Sequence, residues 1–159
     1  MKTLVAYFSA SGVTASIAKE LAVAANADLY EIKPTEKYTT ADLNWQNANS
    51  RSSVEMKNKS ARPEIIKGDV DVSPYDVILL GFPIWWYVAP TIINTFLESY
   101  DFAGKKIVLF ATSGGSQFGN TVAELKVSVP ASTEIIAGKV LNRASKSQLE
   151  PWIKELKLS

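Results

Sequence analysis

The sequence predicts a doubly wound α/β fold built on a five-stranded parallel sheet in the order 2-1-3-4-5. Three observations predict it. Compact apolar runs recur at Thr3–Phe8, Tyr75–Gly81, Lys106–Thr112 and Glu134–Val140, each bounded by Gly, Pro, Ser or charged residues, as strands covered on both faces should be. Stretches with apolar residues at helical spacing lie between these runs. The length, 159 residues, suits one domain spanning 1–159, and a chain of this size buries roughly 70% of its unfolded surface with no disulfide or metal staple. Strands that alternate with helices imply parallel pairing, right-handed crossovers leave few topologies, and five strands favour 2-1-3-4-5.

Taken in order, the first strand, Thr3–Phe8, leads into a helix over Thr14–Ala25, where Ile17, Leu21 and Ala25 share a face. Asp28–Lys33 is a fifth, weaker strand carrying Leu29, Tyr30 and Ile32. Residues 34–67 form one long polar insert, predicted to hold a helix from about Ala41 to Asn58. Five Lys/Arg lie between Arg51 and Lys67 against two Glu, which reads as a solvated face rather than a binding patch. Further helices are predicted over Thr91–Tyr100, Asn120–Val127 and Ser147–Leu158. No repeat or low-complexity stretch interrupts the pattern.

Composition removes several classes of function. The chain has no cysteine and no histidine. That excludes disulfides, thiol nucleophiles, thiolate metal sites, imidazole bases and His-ligated metals. A net charge of +1 points to no nucleic-acid partner. The apolar run after Met1-Lys2 is too short for a signal-peptide core or a membrane span, so a cytoplasmic protein with no membrane partner is expected. Difficult chemistry would then belong to a bound cofactor.

Ligands of such a sheet sit beyond the carboxyl ends of the strands, where strand order reverses. The loop at the end of the first strand reads Ser9-Ala10-Ser11-Gly12-Val13-Thr14 and opens into a helix. Free N–H groups and the dipole at a helix N-terminus favour an anion. Ser9, Ser11 and Thr14 add hydroxyl donors, and Gly12 permits close backbone approach. The loop lacks the P-loop lysine and the three glycines of a dinucleotide fingerprint, and its nearest cation in sequence is Lys19. A neutral cradle of this kind suits one terminal phosphate monoester. Simple helix capping by Ser9, Ser11 and Thr14 is the competing reading.

Two more loops leave the same sheet edge. The third strand runs into Phe82-Pro83-Ile84-Trp85-Trp86-Tyr87, and the fourth, ending at Thr112, into Ser113-Gly114-Gly115-Ser116-Gln117-Phe118-Gly119. Adjacent tryptophans in a loop need something flat to pack on, and a glycine-rich turn lets backbone donors approach a ring edge. Together the loops describe a slot for a planar ring with a phosphate grip at one end, the shape of FMN. A core plug or dimer contact competes for Trp85-Trp86, and a plain strand–helix turn competes for the glycine-rich loop.

On Ser9-Ala10-Ser11-Gly12-Val13-Thr14, Gly81-Phe82-Pro83-Ile84-Trp85-Trp86 and Thr112-Ser113-Gly114-Gly115-Ser116, the sequence resembles the flavodoxin family. The insert, through Asp42-Leu43-Asn44-Trp45, Ser50-Arg51, Glu55 and Arg62-Pro63-Glu64-Ile65, looks like that of small bacterial flavodoxin-like proteins, so the likeness covers nearly the whole chain. It implies a flavodoxin-like fold and noncovalent FMN. The phosphate would lie on Ser9, Ser11, Gly12, Val13 and Thr14. The ring would lie between Pro83, Ile84, Trp85, Trp86 and Thr112, Ser113, Gly114, Gly115, with Gln117 and Gly119 nearby. Many relatives carry a small residue, commonly glycine, where this chain has Tyr87, which is expected to cover the flavin edge against hydride transfer from a nicotinamide. The acidic face of typical flavodoxins is also missing, which disfavours charge-steered docking to a basic partner.

The function implied is electron transfer to a redox partner protein or a small-molecule acceptor, by a monomer or homodimer. The alternatives are an NAD(P)H-dependent FMN quinone or small-molecule reductase and a non-catalytic flavin-binding module. Because the three loops carry no charged side chain, the site is expected to disfavour an extra negative charge on the ring and to lower the potential of its second one-electron reduction below that of free FMN. Other occupants of the fold fit worse. A receiver domain needs an Asp where Leu79, Leu80 and Gly81 stand, and a nucleophile elbow fails around Ser116. A metal hydrolase would need clustered carboxylates on these loops.

Overall fold

The computed structural model describes residues 2–68, 70–113, 117–141 and 146–156. Five strands, β1 (Thr3–Tyr7), β2 (Asp28–Glu31), β3 (Val77–Pro83), β4 (Lys106–Thr112) and β5 (Glu134–Val140), alternate with α1 (Val13–Ala25), α2 (Arg51–Lys57), α3 (Thr91–Ser99), α4 (Thr121–Lys126) and α5 (Lys146–Leu156). All four strand pairings are parallel and the order is β2-β1-β3-β4-β5, the doubly wound arrangement that the apolar runs predict. Among the described residues no helix is long and apolar enough to cross a membrane.

Period-two alternation divides the sheet's side chains between two layers. Leu4, Ala6, Phe8, Ile78, Leu80 and Phe82 face a core completed by Ile92, Ile93 and Phe96 of α3. Val5, Tyr7, Val77, Leu79, Val108 and Phe110 face Ile17, Ala18 and Leu21 of α1 and Leu149 and Trp152 of α5. Two glycines make the packing possible. A Cβ on Gly81 would lie 2.1 Å from the Phe110 ring that covers it in the adjacent strand, so only glycine leaves the ring its place. Gly138 is the extra residue where β4–β5 register shifts between Leu109/Phe110, and a Cβ there would lie 2.0 Å from the Leu109 carbonyl oxygen.

The insert departs from expectation. The helix predicted from about Ala41 to Asn58 is only α2; residues 40–49 form turns. The cause is local. Asn44 Oδ1 accepts from Gln46 N at 3.1 Å, and Asn47 Oδ1 accepts from Asn49 N at 2.9 Å. Each Asx turn takes an N–H that a helix would use. The helix starts only at Ser50, whose side chain accepts from Ser53 N.

Candidate functional site

The carboxyl ends of β1, β3 and β4 are aligned, and their loops form the candidate site. In the first loop Gly12 has φ 96 and ψ −12 and precedes α1 with no side-chain cap. Ser9 Oγ accepts from Gly12 N at 3.0 Å, and the first helical bond runs from Ser16 N to Gly12 O at 3.1 Å. Among the described residues the N–H groups of Val13, Thr14 and Ala15 have no acceptor, and the Ser11 hydroxyl has no partner. Helix capping therefore does not consume the loop: three amides and one hydroxyl remain without a partner among the described residues. A Cβ on Gly12 would meet nothing within 4 Å. The hollow beside this loop, about 390 Å³, brings Lys33 and Lys37 of the segment after β2 together with Ser9 and Ala10. They are cations that sequence distance hides.

Thr112, the last residue of β4, joins all three elements. Its carbonyl accepts from Ile84 N at 2.8 Å. Its hydroxyl shares a buried 2.7 Å hydrogen bond with that of Thr14 in the first turn of α1. Thr14 is 2% exposed, so its hydroxyl belongs to this joint rather than to the open face of the loop. Pro83 lies in register beside Thr112. The ends of the first and second loops are thus fixed on one residue, and Ser113 leads out from it. Gly114 and Gly115 lie outside the described residues. Gln117 is exposed, and Phe118 turns inward against Phe82, with ring centroids 6.4 Å apart.

Trp85 and Trp86 do not form two walls of one slot. Trp85 N donates to Val88 O at 3.0 Å and Val88 N donates to Trp85 O at 3.2 Å, which closes a two-residue hairpin. Its central residues, Trp86 (φ 48) and Tyr87 (φ 68), are both left-handed. That turn normally takes Asn-Gly. Each bulky residue there costs about 1–2 kcal/mol of backbone strain, a cost that persists where surrounding structure over-determines the conformation. The conformation of Tyr87 is the one glycine favours. Gly119 meets the hairpin from the fourth-strand loop: a Cβ there would lie 2.5 Å from Tyr87 O. Trp85 turns inward, edge-on to Phe8 at 5.9 Å and to Tyr38 at 5.5 Å, while Trp86 is 44% exposed and Tyr87 68%.

Sequence reasoning missed the insert's part in the site, because its members are far along the chain from the loops they support. Tyr38 packs edge-to-face against Phe8 and Trp85 and lies under the Arg51 guanidinium, 3.8 Å from the ring centroid. Its hydroxyl donates to Glu55 Oε1 at 2.5 Å, and Arg51 Nε donates to Glu55 Oε2 at 3.0 Å. Burial first, then the Glu55 carboxylate, pushes the Tyr38 phenol far above its usual range. Arg62 pairs with Glu98 of α3 and Lys59 with Glu124 of α4. The insert's cations are therefore tethers and a ring stack as well as a solvated face. Lys57 also lines a hollow with Trp86. Lys57, Lys33 and Lys37 lie near the loops, together with Glu31, so charges from outside the loops add to the local field.

A β2-β1-β3-β4-β5 sheet with these loops gathered at one edge defines a flavodoxin-like α/β protein, the order of which flavodoxin is the type example. The chain belongs to the flavodoxin family, whose profile matches residues 2–156. Among solved structures it is similar to a protein classed as a flavoprotein from Bacteroides uniformis, at 50% identity and TM-score 0.90 over 96% of this chain and 97% of that one. A second, from Bacteroides eggerthii, matches at 45% identity and TM-score 0.92 over 99% of each chain. A flavoprotein in complex with FMN from Lactobacillus acidophilus matches at 25% identity and TM-score 0.70 over 95% and 97%. A search of curated proteins finds no significant match.

Proposed function

We propose that this protein binds FMN noncovalently at the carboxyl edge of its sheet and transfers electrons through it. The observation that carries the reading is the Thr112 joint, which fixes an unpaired helix N-terminus and the tryptophan hairpin at one place. A relative that contains FMN supports the choice of flavin.

The residues fit the group. Unshared amides at Val13, Thr14 and Ala15, with the open space at Gly12, suit a phosphate dianion held by N–H groups and the α1 dipole. Ser9 holds the loop in shape through Gly12 N, Ser11 supplies a free hydroxyl, and Thr14 anchors the loop to β4. Pro83, Ile84, Trp85, Trp86, Thr112, Ser113, Gly114, Gly115, Gln117 and Gly119 would border the ring. Bound FMN supplies one- and two-electron chemistry that no side chain of this chain provides. The protein's own contribution is to bind, orient and shield, because the three loops carry no Asp, Glu, Lys or Arg. Tyr38 and Phe8 brace Trp85 from behind, and Tyr87 covers the rim. In this reading the protein is one domain over 1–159 and its partner is a redox protein or a small acceptor.

Purified protein tests the reading. A flavin spectrum, with FMN as the released species, is the expected result; a colourless protein that takes up no FMN contradicts it. Stopped-flow mixing with NADH or NADPH then decides the class. Slow bleaching is expected of a carrier whose flavin edge lies under Tyr87; bleaching within the mixing time would make it a reductase.

A further inference from the structure

We infer that the hollow between Trp45 and Trp86 is a binding site for a planar aromatic molecule carrying one negative charge. The hollow has a volume of about 270 Å³ and lies between the insert and the outer side of the hairpin. Among the described residues none of its lining comes from the phosphate loop or the loop after β4, and of these Trp86 alone is shared with the proposed cofactor site. The inference therefore goes beyond the flavin reading.

Four features specify the ligand. Trp45 is 69% exposed and Trp86 44%, in a chain that buries its phenylalanines. Two large indoles left in water at one hollow are costly unless something flat covers them. The Asx turns at Asn44 and Asn47 present Trp45, and a strained left-handed turn presents Trp86, so neither indole is there as an incidental helix residue. Met56 adds a soft, polarisable contact of the kind that adapts to aromatic rings. Lys57 supplies the charge. Its Nζ donates to Ala48 O at 3.2 Å, a carbonyl bond that positions the ammonium without neutralising it. Among the described residues no carboxylate lines the hollow, and Glu55, two positions before Lys57, is already held by Tyr38 and Arg51. Gln46 and Ser53 offer neutral hydrogen bonds at the rim. An aromatic cation would find no counter-ion here; an aromatic carboxylate or sulfonate finds one.

Calorimetric titration of the purified protein with 2-naphthoate tests the inference, with 2-naphthamide as its uncharged analogue. Saturable one-site binding of the naphthoate is expected, with the amide at least about tenfold weaker. Trp45→Ala and Lys57→Gln should each weaken the naphthoate by about tenfold or more while the melting temperature stays that of the natural chain, since both side chains are exposed. No saturation at millimolar naphthoate, equal binding of the amide, or binding undiminished in Trp45→Ala would each overturn the site. So would concentration-dependent dimerisation that Trp45→Ala abolishes, because a second copy would then fill the hollow. None of these readouts uses flavin, so their failure leaves the cofactor reading standing.

Discussion

Gly12→Ala probes the phosphate loop at its most exacting point. Gly12 has φ 96, a conformation that L side chains rarely adopt, and a Cβ there meets no atom within 4 Å. The steric contribution is therefore nil and the whole cost is backbone strain, about 1–2 kcal/mol. That strain divides between two measurements. If the loop keeps its shape without ligand, the loss falls on folding stability. If the alanine loop relaxes when empty, FMN must re-impose the strain, and the loss falls on affinity as about 5- to 30-fold. Urea unfolding of apoprotein gives the first part and fluorescence titration with FMN the second. Their sum should be about 1–2 kcal/mol, and more if phosphate fills the space the new methyl enters. A variant with natural stability and natural FMN affinity would show that this turn is not the conformation that holds the phosphate.

Three further outcomes follow from packing and ionisation. Gly138→Ala should lower the melting temperature by roughly 10 °C, because its Cβ collides with a backbone oxygen and with Trp152 at the bulge; an unchanged melt would mean the bulge shifts freely. The Arg62 guanidinium first, and the Ser128 hydroxyl with it, hold the Glu98 carboxyl below its usual range. A lowered folded value adds stability above the unfolded value and loses it as pH falls through the folded one, so Arg62→Gln should be less stable than the natural chain at neutral pH by at most about 1 kcal/mol for this half-exposed pair, the gap closing in acid. Urea midpoints across pH 3–7 check it, and a gap constant with pH would refute it. Tyr75 is pushed up to about 12, chiefly by donating its phenol hydrogen to Asp28 and then by burial. A raised value stabilises below the ordinary tyrosine range and is lost as pH rises through the folded value. The deficit of Tyr75→Phe should thus persist at pH 9 and shrink towards pH 12, and a deficit already gone at pH 9 would exclude the Asp28 bond as its source.

The sheet was legible because buried parallel strands must be short, apolar and bounded, and those rules hold at Lys106–Thr112 to the residue; Glu134–Val140 has the predicted bounds but is an edge strand in which only Ile135 is buried. The three loops were legible because topology brings strand ends together. What the sequence concealed lies in pairings between distant residues. Thr14 reads as a phosphate ligand, and only the fold sets its hydroxyl against Thr112, 98 positions away. Trp85 and Trp86 read as a pair, and only a turn with two left-handed residues sends one inward and the other out. The insert read as a helix from about Ala41 to Asn58, while Asn44 and Asn47 spend their side chains on backbone N–H groups that a helix would need. Its cations read as solvated because Tyr38, Glu98 and Glu124, their partners, are not their sequence neighbours.

The most direct measurement compares FMN with riboflavin on the same apoprotein by fluorescence quenching. If amides at the head of α1 grip a phosphate while the neighbouring loops hold the ring, FMN should quench at 1:1 stoichiometry in the micromolar range or tighter, and riboflavin should bind far more weakly. Equal affinity for the two, or no quenching by FMN, would contradict the account.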